Sequence, residues 1–271
     1  MDKNIAFFGA GSAAEAILSG VINAGIVKKD QIKVANKSNI NRLEYIKERY
    51  QVFCTQEKER IIQDADILIL AMKPYDLHDF MHEIKGHMNK RQLIISILAG
   101  VSTDTIIKEL EMDLPVIRAM PNTSAMIGYS ATAISKGKYA SNEHVNQAEK
   151  LFNTIGTTTI VAEADMHIVT AISGSGPAYL YYMVEAMENA AIEAGLDQQT
   201  AKELITQTVV GAGAMLQQSE DSPNVLRQKI TSPKGTTEAG IKVLEENHFQ
   251  KILMECVKSA KARSEELGKD Q

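Results

Sequence analysis

Short apolar runs alternate with amphipathic stretches along the first half of the chain. The apolar runs predict strands at Ile5–Phe8, Ile32–Ala35, Ile67–Ala71, Leu93–Leu98 and Val116–Ala119. Apolar residues at three- and four-residue spacing predict helices between them, at Ala13–Ala24, Ile40–Tyr50, Tyr75–Met88 and Thr103–Glu111. Strands that are apolar on both faces and alternate with helices are typical of a parallel sheet covered on both sides.

The second half of the chain has a different pattern. A strand, a helix and a strand at 131–134, 145–152 and 157–161 complete the sheet domain, and the acidic stretch at 163–165 marks its end. Beyond it, Ala, Met and Leu recur at helical spacing and predict helices at Tyr179–Ala194, Ala201–Gln217, Val225–Ile230, Glu238–Glu246 and Phe249–Leu267. We therefore expect an α/β chain with a doubly wound domain over residues 1–163 and an all-helical domain over residues 164–271.

Composition and charge exclude several classes of partner. Hydrophobic residues make up 44% of the 271 residues and charged residues 23%, as in ordinary folded proteins. The net charge of −5 provides no basic field, so we expect neither nucleic acid nor a membrane as partner. Cys54 and Cys256 are the only cysteines, and no apolar run suits a signal peptide or a membrane span, so we expect a cytoplasmic protein. His78 and His82 fit a solvated helix face better than a metal site, and no metal is expected.

A glycine-rich loop follows the first predicted strand and opens the first predicted helix. Residues 9–14 read Gly-Ala-Gly-Ser-Ala-Ala and match the pattern G-x-G-x-x-A. Gly9 permits a tight turn, Gly11 lets the backbone approach a pyrophosphate, and the helix that begins near Ser12 and Ala13 offers unpaired N–H donors. This context predicts a Rossmann-type dinucleotide site at these four residues. The alternative is a glycine-rich turn that binds nothing.

The end of the second predicted strand bears on the choice of cofactor. An NAD site usually places Asp or Glu here, on the ribose hydroxyls, whereas this chain has Asn36, Lys37 and Ser38. Asn36 and Ser38 can hydrogen-bond a 2′-phosphate, and Lys37, together with Arg42, can supply positive charge. We therefore expect NADPH in preference to NADH. The alternative is that Lys37 and Arg42 are solvated charges at the start of a helix.

Further candidate residues follow later strands, where open α/β sheets bind their ligands. Met72, Lys73 and Pro74 follow the third predicted strand, and Lys73 is placed to approach a charged group of the cofactor or substrate. An ordinary surface lysine explains Lys73 nearly as well. Asn122 follows the fifth predicted strand and offers an amide near the expected nicotinamide, with a simple Pro-Asn turn as its alternative.

In the helical half, one segment combines several groups that bind anions. Residues 231–237 read Thr-Ser-Pro-Lys-Gly-Thr-Thr and precede a predicted helix. Hydroxyls, backbone N–H groups and a cation at the start of a helix suit a small carboxylate. The alternative is that Thr236 or Thr237 is merely the N-cap of the helix.

These motifs, in their order and spacing, resemble the pyrroline-5-carboxylate reductase family over nearly the whole chain. The resemblance rests on Phe8–Gly11, Met72–Pro74, Arg118–Thr123, Ser173–Tyr179 and Thr231–Gly240. It implies NAD(P)H-dependent reduction of 1-pyrroline-5-carboxylate to L-proline, the last step of proline biosynthesis. It also implies a dinucleotide-binding domain over residues 1–163 and a helical domain over residues 164–271 that binds substrate and forms a homodimer. Larger rings of dimers also occur in the family.

The resemblance further implies roles for single residues. The substrate carboxylate would be held by Ser232, Gly235, Thr236 and Thr237. Thr237 would also lie beside the imine nitrogen, as the catalytic residue. Asn122 and Lys73 would line the cofactor side.

The chain departs from the family's pattern at two places. Ser12 and Ala13 replace an Asn-Met pair that is frequent inside the glycine loop, and Lys234 stands where glycine is common. Ser12 keeps a small polar group, so we expect cofactor binding to survive. Lys234 is expected to alter how the carboxylate is received.

Two other functions are alternatives to imine reduction. A 3-hydroxyacid dehydrogenase has a similar architecture but must take a proton from an alcohol, typically with a lysine. Neither Lys nor Arg occurs between Lys150 and Lys202, and this favours an imine, whose protonated form is already electrophilic. The other alternative is a regulator that senses NADPH without catalysis, and such a protein has no need of a carboxylate loop.

Overall fold

The structure, a computed structural model, describes residues 1–269. Its eight-stranded sheet consists of β1 (Ile5–Phe8), β2 (Ile32–Ala35), β3 (Phe53–Thr55), β4 (Ile67–Leu70), β5 (Leu93–Ser96), β6 (Val116–Met120), β7 (Ser130–Lys136) and β8 (Gly156–Ile160). The helices between and just after the strands are α1 (Ser12–Asn23), α2 (Ile40–Tyr50), α3 (Glu59–Ile62), α4 (Leu77–Ile84), α5 (Thr103–Leu110), α6 (Asn142–Phe152) and α7 (Met166–Val169). The remaining helices are α8 (Gly176–Glu193), α9 (Gln198–Gln218), α10 (Pro223–Lys229), α11 (Thr236–Glu246) and α12 (Phe249–Lys269).

The strand order confirms the predicted Rossmann-type sheet. The order is β3-β2-β1-β4-β5-β6-β7-β8, and the first six strands pair in parallel. The strand order runs outward in opposite directions from β1. Doubly wound sheets bind dinucleotides at this switch point. β7 is antiparallel to β6 because the connection at residues 121–129 is too short for a parallel crossover, and β8 then pairs with β7 in parallel after α6.

Two hydrophobic cores cover the two faces of the sheet. In β1, Ile5 and Phe7 pack into a core with α1, α2 and α6, whereas Ala6 and Phe8 pack into a second core with α3, α4 and α5. Alternate residues of a strand point to opposite faces, so a strand between two helical layers must be apolar at every position. This is why the continuous apolar runs identified the central strands.

The sequence reading missed or misjudged several short elements. The edge strand β3 and the short helix α3 were not predicted. The helix expected at Tyr75–Met88 is broken into α4 and a 3₁₀ turn on either side, Pro74–Asp76 and Lys85–His87. All three differences lie where the hydrophobic period is short or interrupted.

The described chain divides into two compact units. One is Met1–Ser175 together with the chain from Ser259 onward, and the other is Gly176–Lys258. By its contacts, the segment with α7 and a π-helical turn at Thr170–Gly174 belongs to the first unit, although the predicted boundary lies before it. The second unit is helical, as expected. The functional division into residues 1–163 and 164–271 stays a prediction.

Candidate active site

Gly9 is glycine for a steric reason. Its backbone φ is +111°, and a Cβ at this position would lie 2.4 Å from the carbonyl oxygen of Ala71. The Gly9 N–H donates to the Ala35 carbonyl at 2.8 Å, and the Ala71 N–H donates to the Phe8 carbonyl at 2.8 Å. The glycine loop is therefore held against the carboxyl ends of β2 and β4. This places the glycine loop beside two other loops that the sequence assigned to the cofactor.

Gly11 has no such steric reason among the described residues. Its φ is −70°, which any residue adopts, and a Cβ built there meets none of the described heavy atoms within 4 Å. Gly11 is the N-cap of α1, which begins at Ser12 and Ala13, and no side chain caps the helix. The first N–H groups of a helix lack partners within it, so this end suits an anion. The open space above Gly11 fits the pyrophosphate of a dinucleotide.

Arg42 braces the glycine loop. Its Nε donates to the Ala10 carbonyl at 2.6 Å, and its Nη2 forms an ion pair with the Glu15 carboxylate. Glu15 is buried and accepts a hydrogen bond from the Tyr50 hydroxyl at 2.8 Å. Burial raises the pKa of Glu15, but the hydrogen bonds from Tyr50 and Arg42 outweigh it and hold this pKa below its usual value. The guanidinium of Arg42 is therefore paired within the protein. The sequence had suggested that it binds the phosphate.

The loop after β2 presents Lys37 and Ser38 to solvent. The Asn36 N–H donates to the Thr55 carbonyl at 3.3 Å, which anchors the start of this loop to β3. Lys37 Nζ lies 3.7 Å from Asp76 Oδ1, so the loop after β2 meets the loop after β4. Sequence reasoning missed Asp76, although an acid two residues after Pro74 was visible there.

The loop after β4 contains the three predicted residues Met72, Lys73 and Pro74. Met72 packs against the core on the α4 face, and Lys73 is exposed at the start of the 3₁₀ turn Pro74–Asp76. Pro74 occupies the first position of that turn, where its missing N–H costs nothing. The role of Lys73 toward the cofactor stays a prediction.

Asn122 joins two of the sequence motifs. Its Oδ1 accepts a hydrogen bond from the Ser124 N–H at 3.2 Å, and its Nδ2 donates to the Ser173 carbonyl at 3.0 Å. The segment after β6 therefore contacts Ser173, which lies in the first unit. The Asn122 side chain holds this contact in place. It therefore has a structural role in addition to the predicted role toward the nicotinamide.

A buried arginine in β6 forms an ion pair with a partly exposed glutamate, and sequence reasoning missed this pair. Arg118 in β6 is 1% exposed, and its Nη1 lies 3.7 Å from Glu163 Oε1. Glu163 also accepts hydrogen bonds from the N–H and the hydroxyl of Thr103, at 2.7 and 2.5 Å. Burial lowers the pKa of Arg118, and the charge of Glu163 opposes that shift. The pair ties β6 to the segment that leads to Ser173.

The carboxylate segment of the second unit has its glycine at the N-cap. Gly235 caps α11, and Thr236 and Thr237 are the first two helical residues. The alternative that either threonine is the N-cap is therefore wrong. A Cβ on Gly235 would lie 2.6 Å from Ser232 Oγ, so glycine allows the serine to fold over the helix start. Hydroxyls and N–H groups gather at this end of an eleven-residue helix, as carboxylate binding requires.

Lys234 has a backbone conformation that favours glycine. Its φ is +61°, in the left-handed region where a side chain costs about 1 kcal/mol. This explains why glycine suits the position. The Lys234 N–H donates to Glu238 Oε2 at 2.7 Å and is therefore already paired. Next to this segment lies a cavity of about 520 Å³ whose lining includes Lys234, Gly235, Glu238 and Arg227.

The described residues show neither a metal-binding cluster nor a membrane-spanning helix. The described residues contain no group of three His, Cys, Asp or Glu side chains placed to hold a metal ion. His78, one of the two histidines considered above, has its Nδ1 2.7 Å from Glu109 Oε2. None of the helices in the described range is long and apolar enough to cross a bilayer.

The sheet, its switch point and the open glycine loop define the class: a Rossmann-type, dinucleotide-binding oxidoreductase. Residues 4–100 match a family model described as NADP oxidoreductase, coenzyme F420-dependent. Residues 163–267 match one described as pyrroline-5-carboxylate reductase dimerisation. Pyrroline-5-carboxylate reductase 2 of Bacillus subtilis is 46% identical over 98% of this chain and 95% of its own. The chain belongs to the pyrroline-5-carboxylate reductase family.

Solved structures agree with this membership. A pyrroline-5-carboxylate reductase from Coxiella burnetii is 35% identical, covers 98% of this chain and 99% of its own, and has a TM-score of 0.91. The pyrroline carboxylate reductase of Plasmodium falciparum, solved with NADP bound, is 28% identical over 98% of each chain, with a TM-score of 0.89. The resemblance drawn from the motifs is confirmed.

Proposed function

We propose that this protein reduces 1-pyrroline-5-carboxylate to L-proline with NADPH, or with NADH less efficiently. The observation that carries the proposal is the family membership, which rests on 46% identity along nearly the whole chain. The open space above Gly11 at the start of α1 supports the cofactor part. The hydroxyls and N–H groups at the start of α11 support the substrate part.

The reaction needs positioning more than it needs a strong base. The nicotinamide, when bound, would supply a hydride to the imine carbon, which becomes C5 of L-proline, and the ring nitrogen carries the proton. A protonated imine is already electrophilic, so the protein contributes mainly by orienting the two reactants. In this account the side chains bind the two ends of the substrate. The lack of Lys and Arg between Lys150 and Lys202 disfavours the alcohol chemistry of a lysine-dependent dehydrogenase.

The carboxylate of the substrate is assigned to residues 232–237. The N–H groups of Thr236 and Thr237 lie in the first turn of α11, where the helix dipole favours an anion. The Ser232 hydroxyl lies next to Gly235, which leaves room for it. Thr237 is assigned the ring nitrogen as well, since its hydroxyl is not needed to cap the helix.

Two substitutions at Thr237 test the catalytic assignment. Thr237→Ser keeps the hydroxyl, whereas Thr237→Val removes it at nearly constant volume. We expect Thr237→Val to lower kcat/KM for the imine by about tenfold to a hundredfold, the loss typical of one hydrogen bond to a charged or developing-charge group. Thr237→Ser should retain most of the activity. Equal kcat/KM values in the valine variant and the unmodified protein would remove Thr237 from the mechanism.

The preference for NADPH rests on the loop after β2. Asn36, Lys37 and Ser38 stand where an NAD site has a carboxylate, and Lys37 and Ser38 are exposed there. A carboxylate at the end of β2 would repel a 2′-phosphate, whereas an ammonium and two neutral donors attract it. We assign the 2′-phosphate of NADPH to these three residues.

The helical unit is assigned to a homodimer. This unit exposes large apolar side chains, including Tyr182, Leu204, Val210, Ile230, Val243 and Met254. Exposed apolar surface of this extent marks an interface, and the match of residues 163–267 to a dimerisation family supports a second copy of the chain as the partner. A ring of dimers stays a prediction. A cytoplasmic location is part of the proposal, supported by two free thiols, Cys54 and Cys256.

A further inference from the structure

The ion pair between Lys37 and Asp76 joins two loops at the proposed cofactor site. Lys37 lies at the end of β2 and Asp76 lies at the end of the 3₁₀ turn that follows β4, with 3.7 Å between Nζ and Oδ1. The lysine side chain is 68% exposed and the aspartate 32% exposed. A carboxylate therefore stands beside the cation that the proposed function assigns to the 2′-phosphate of NADPH.

Two other cations of the neighbouring elements, Arg42 and Lys58, are already paired, whereas Lys73 is exposed at the start of the turn that contains Asp76. Arg42 is held by Glu15 and by the Ala10 carbonyl. Lys58, after β3, is paired with Glu83. The net attraction for a 2′-phosphate at this loop then depends on Asp76. Its negative charge opposes the attraction between the Lys37 ammonium and the phosphate.

We infer that Asp76 is a specificity-determining residue for the cofactor. Its carboxylate partly neutralises the charge of Lys37 and repels the 2′-phosphate. It therefore lowers the preference for NADPH over NADH. The inference rests on the proposed function, because it assumes that the cofactor ribose lies at the loop after β2.

The contacts of Asp76 separate this role from a structural one. Asp76 stands at the N-cap of α4, but its side chain makes no capping hydrogen bond. Its backbone N–H donates to the Lys73 carbonyl at 3.0 Å, and a substitution of the side chain leaves that bond in place. Asp76→Asn therefore removes a charge and little else.

The test compares Asp76→Asn with the unmodified chain in two measurements. The first is the ratio of kcat/KM for NADPH to that for NADH. The second, independent of turnover, is the calorimetric Kd of adenosine 2′,5′-bisphosphate compared with that of 5′-AMP. We expect Asp76→Asn to raise the kcat/KM ratio by about threefold to tenfold and to tighten the bisphosphate by a similar factor, with a smaller effect at high salt. Asp104→Asn, an exposed carboxylate in the first turn of α5, is the matched control and should change neither quantity.

Lys37→Gln distinguishes failure of this inference from failure of the proposed cofactor site. If Lys37→Gln lowers the NADPH-to-NADH ratio while Asp76→Asn leaves both measurements unchanged, the role of Asp76 is overturned and the site assigned to Lys37 stands. If Lys37→Gln leaves the ratio and the bisphosphate Kd unchanged, the 2′-phosphate does not bind at this loop, and both proposals fail. An increased ratio in Asp76→Asn that disappears when Lys37→Gln is added would support the coupling of the two charges.

Discussion

Two glycines in the loop after β1 have different physical reasons to be glycine, and this difference gives a test. Gly9→Ala places a Cβ 2.4 Å from the Ala71 carbonyl oxygen at a φ of +111°, so we expect it to lower the free energy of unfolding by about 2 kcal/mol or more. Gly11→Ala meets none of the described atoms within 4 Å and should leave stability nearly unchanged. It should instead raise the Kd for NADPH by at least about tenfold, because the methyl group stands where the pyrophosphate approaches the backbone.

Chemical denaturation and fluorescence titration with NADPH measure the two effects separately. Gly25→Ala, at a φ of +63° and away from the loop, controls for the general cost of side chains at left-handed positions. A Gly11→Ala variant that binds NADPH as tightly as the unmodified protein would contradict the assigned cofactor site.

The sequence indicated which residues belong to the candidate site better than it indicated which groups they bind. The order of glycines predicted the dinucleotide loop, because a tight turn and an approaching pyrophosphate impose local requirements. Arg42 also looked like a cofactor residue, but its charge is taken by Glu15 and the Ala10 carbonyl. Glu15 lies 27 residues away along the chain, and no local pattern connects the two. Asp76 was missed for the same reason.

At the scale of elements, Glu15 fastens α1 to α2 and makes this contact sensitive to acid. We expect Glu15→Gln to lower the free energy of unfolding at pH 7 by about 2 kcal/mol, because Arg42 and Tyr50 lose a charged acceptor. The pKa of Glu15 is held below its ordinary value of 4.5, so the folded state binds this proton less readily than the unfolded state. Its stabilisation is therefore complete above about pH 5 and is lost as the pH falls through the lowered pKa.

Denaturant unfolding across pH 7 to 3 measures this contribution. The difference between Glu15→Gln and the unmodified protein should shrink toward low pH. Glu44→Gln, an exposed carboxylate on α2, should show little difference at any pH. A Glu15→Gln deficit that stays constant down to pH 3 would show that the ion pair contributes nothing through its charge.

Elements with a long hydrophobic period were predictable, and short or irregular ones were not. The central strands lie between two helical layers and must be apolar at every position, and α9 and α12 are long enough for a helical period to emerge. β3 has only three residues and an exposed Phe53, so the apolar run around it is too short to predict a strand. The π-helical turn at Thr170–Gly174 depends on contacts with distant residues, such as the bond from Asn122 to Ser173.

At the scale of the whole molecule, the exposed apolar faces of the second unit predict a homodimer. Val210 on α9 is 58% exposed. We expect Val210→Lys to shift sedimentation velocity toward a monomer, because a buried charge weakens an apolar interface. Thermal unfolding of the unmodified dimer should depend on protein concentration, and this dependence should weaken in the variant. Ile40→Lys, at an apolar residue of similar exposure on α2, should leave the sedimentation coefficient unchanged. A monomeric unmodified protein would contradict the dimer.

The most direct test of the proposed activity is the consumption of NADPH when the purified protein meets 1-pyrroline-5-carboxylate, with L-proline identified as the product. NADH runs in parallel, and 3-hydroxyacids with NADP serve as the control. We predict rapid loss of NADPH with one proline formed per NADPH, slower loss of NADH, and no reaction with the hydroxyacids. Tight binding of NADPH without turnover, or oxidation of a hydroxyacid in place of imine reduction, would contradict the account.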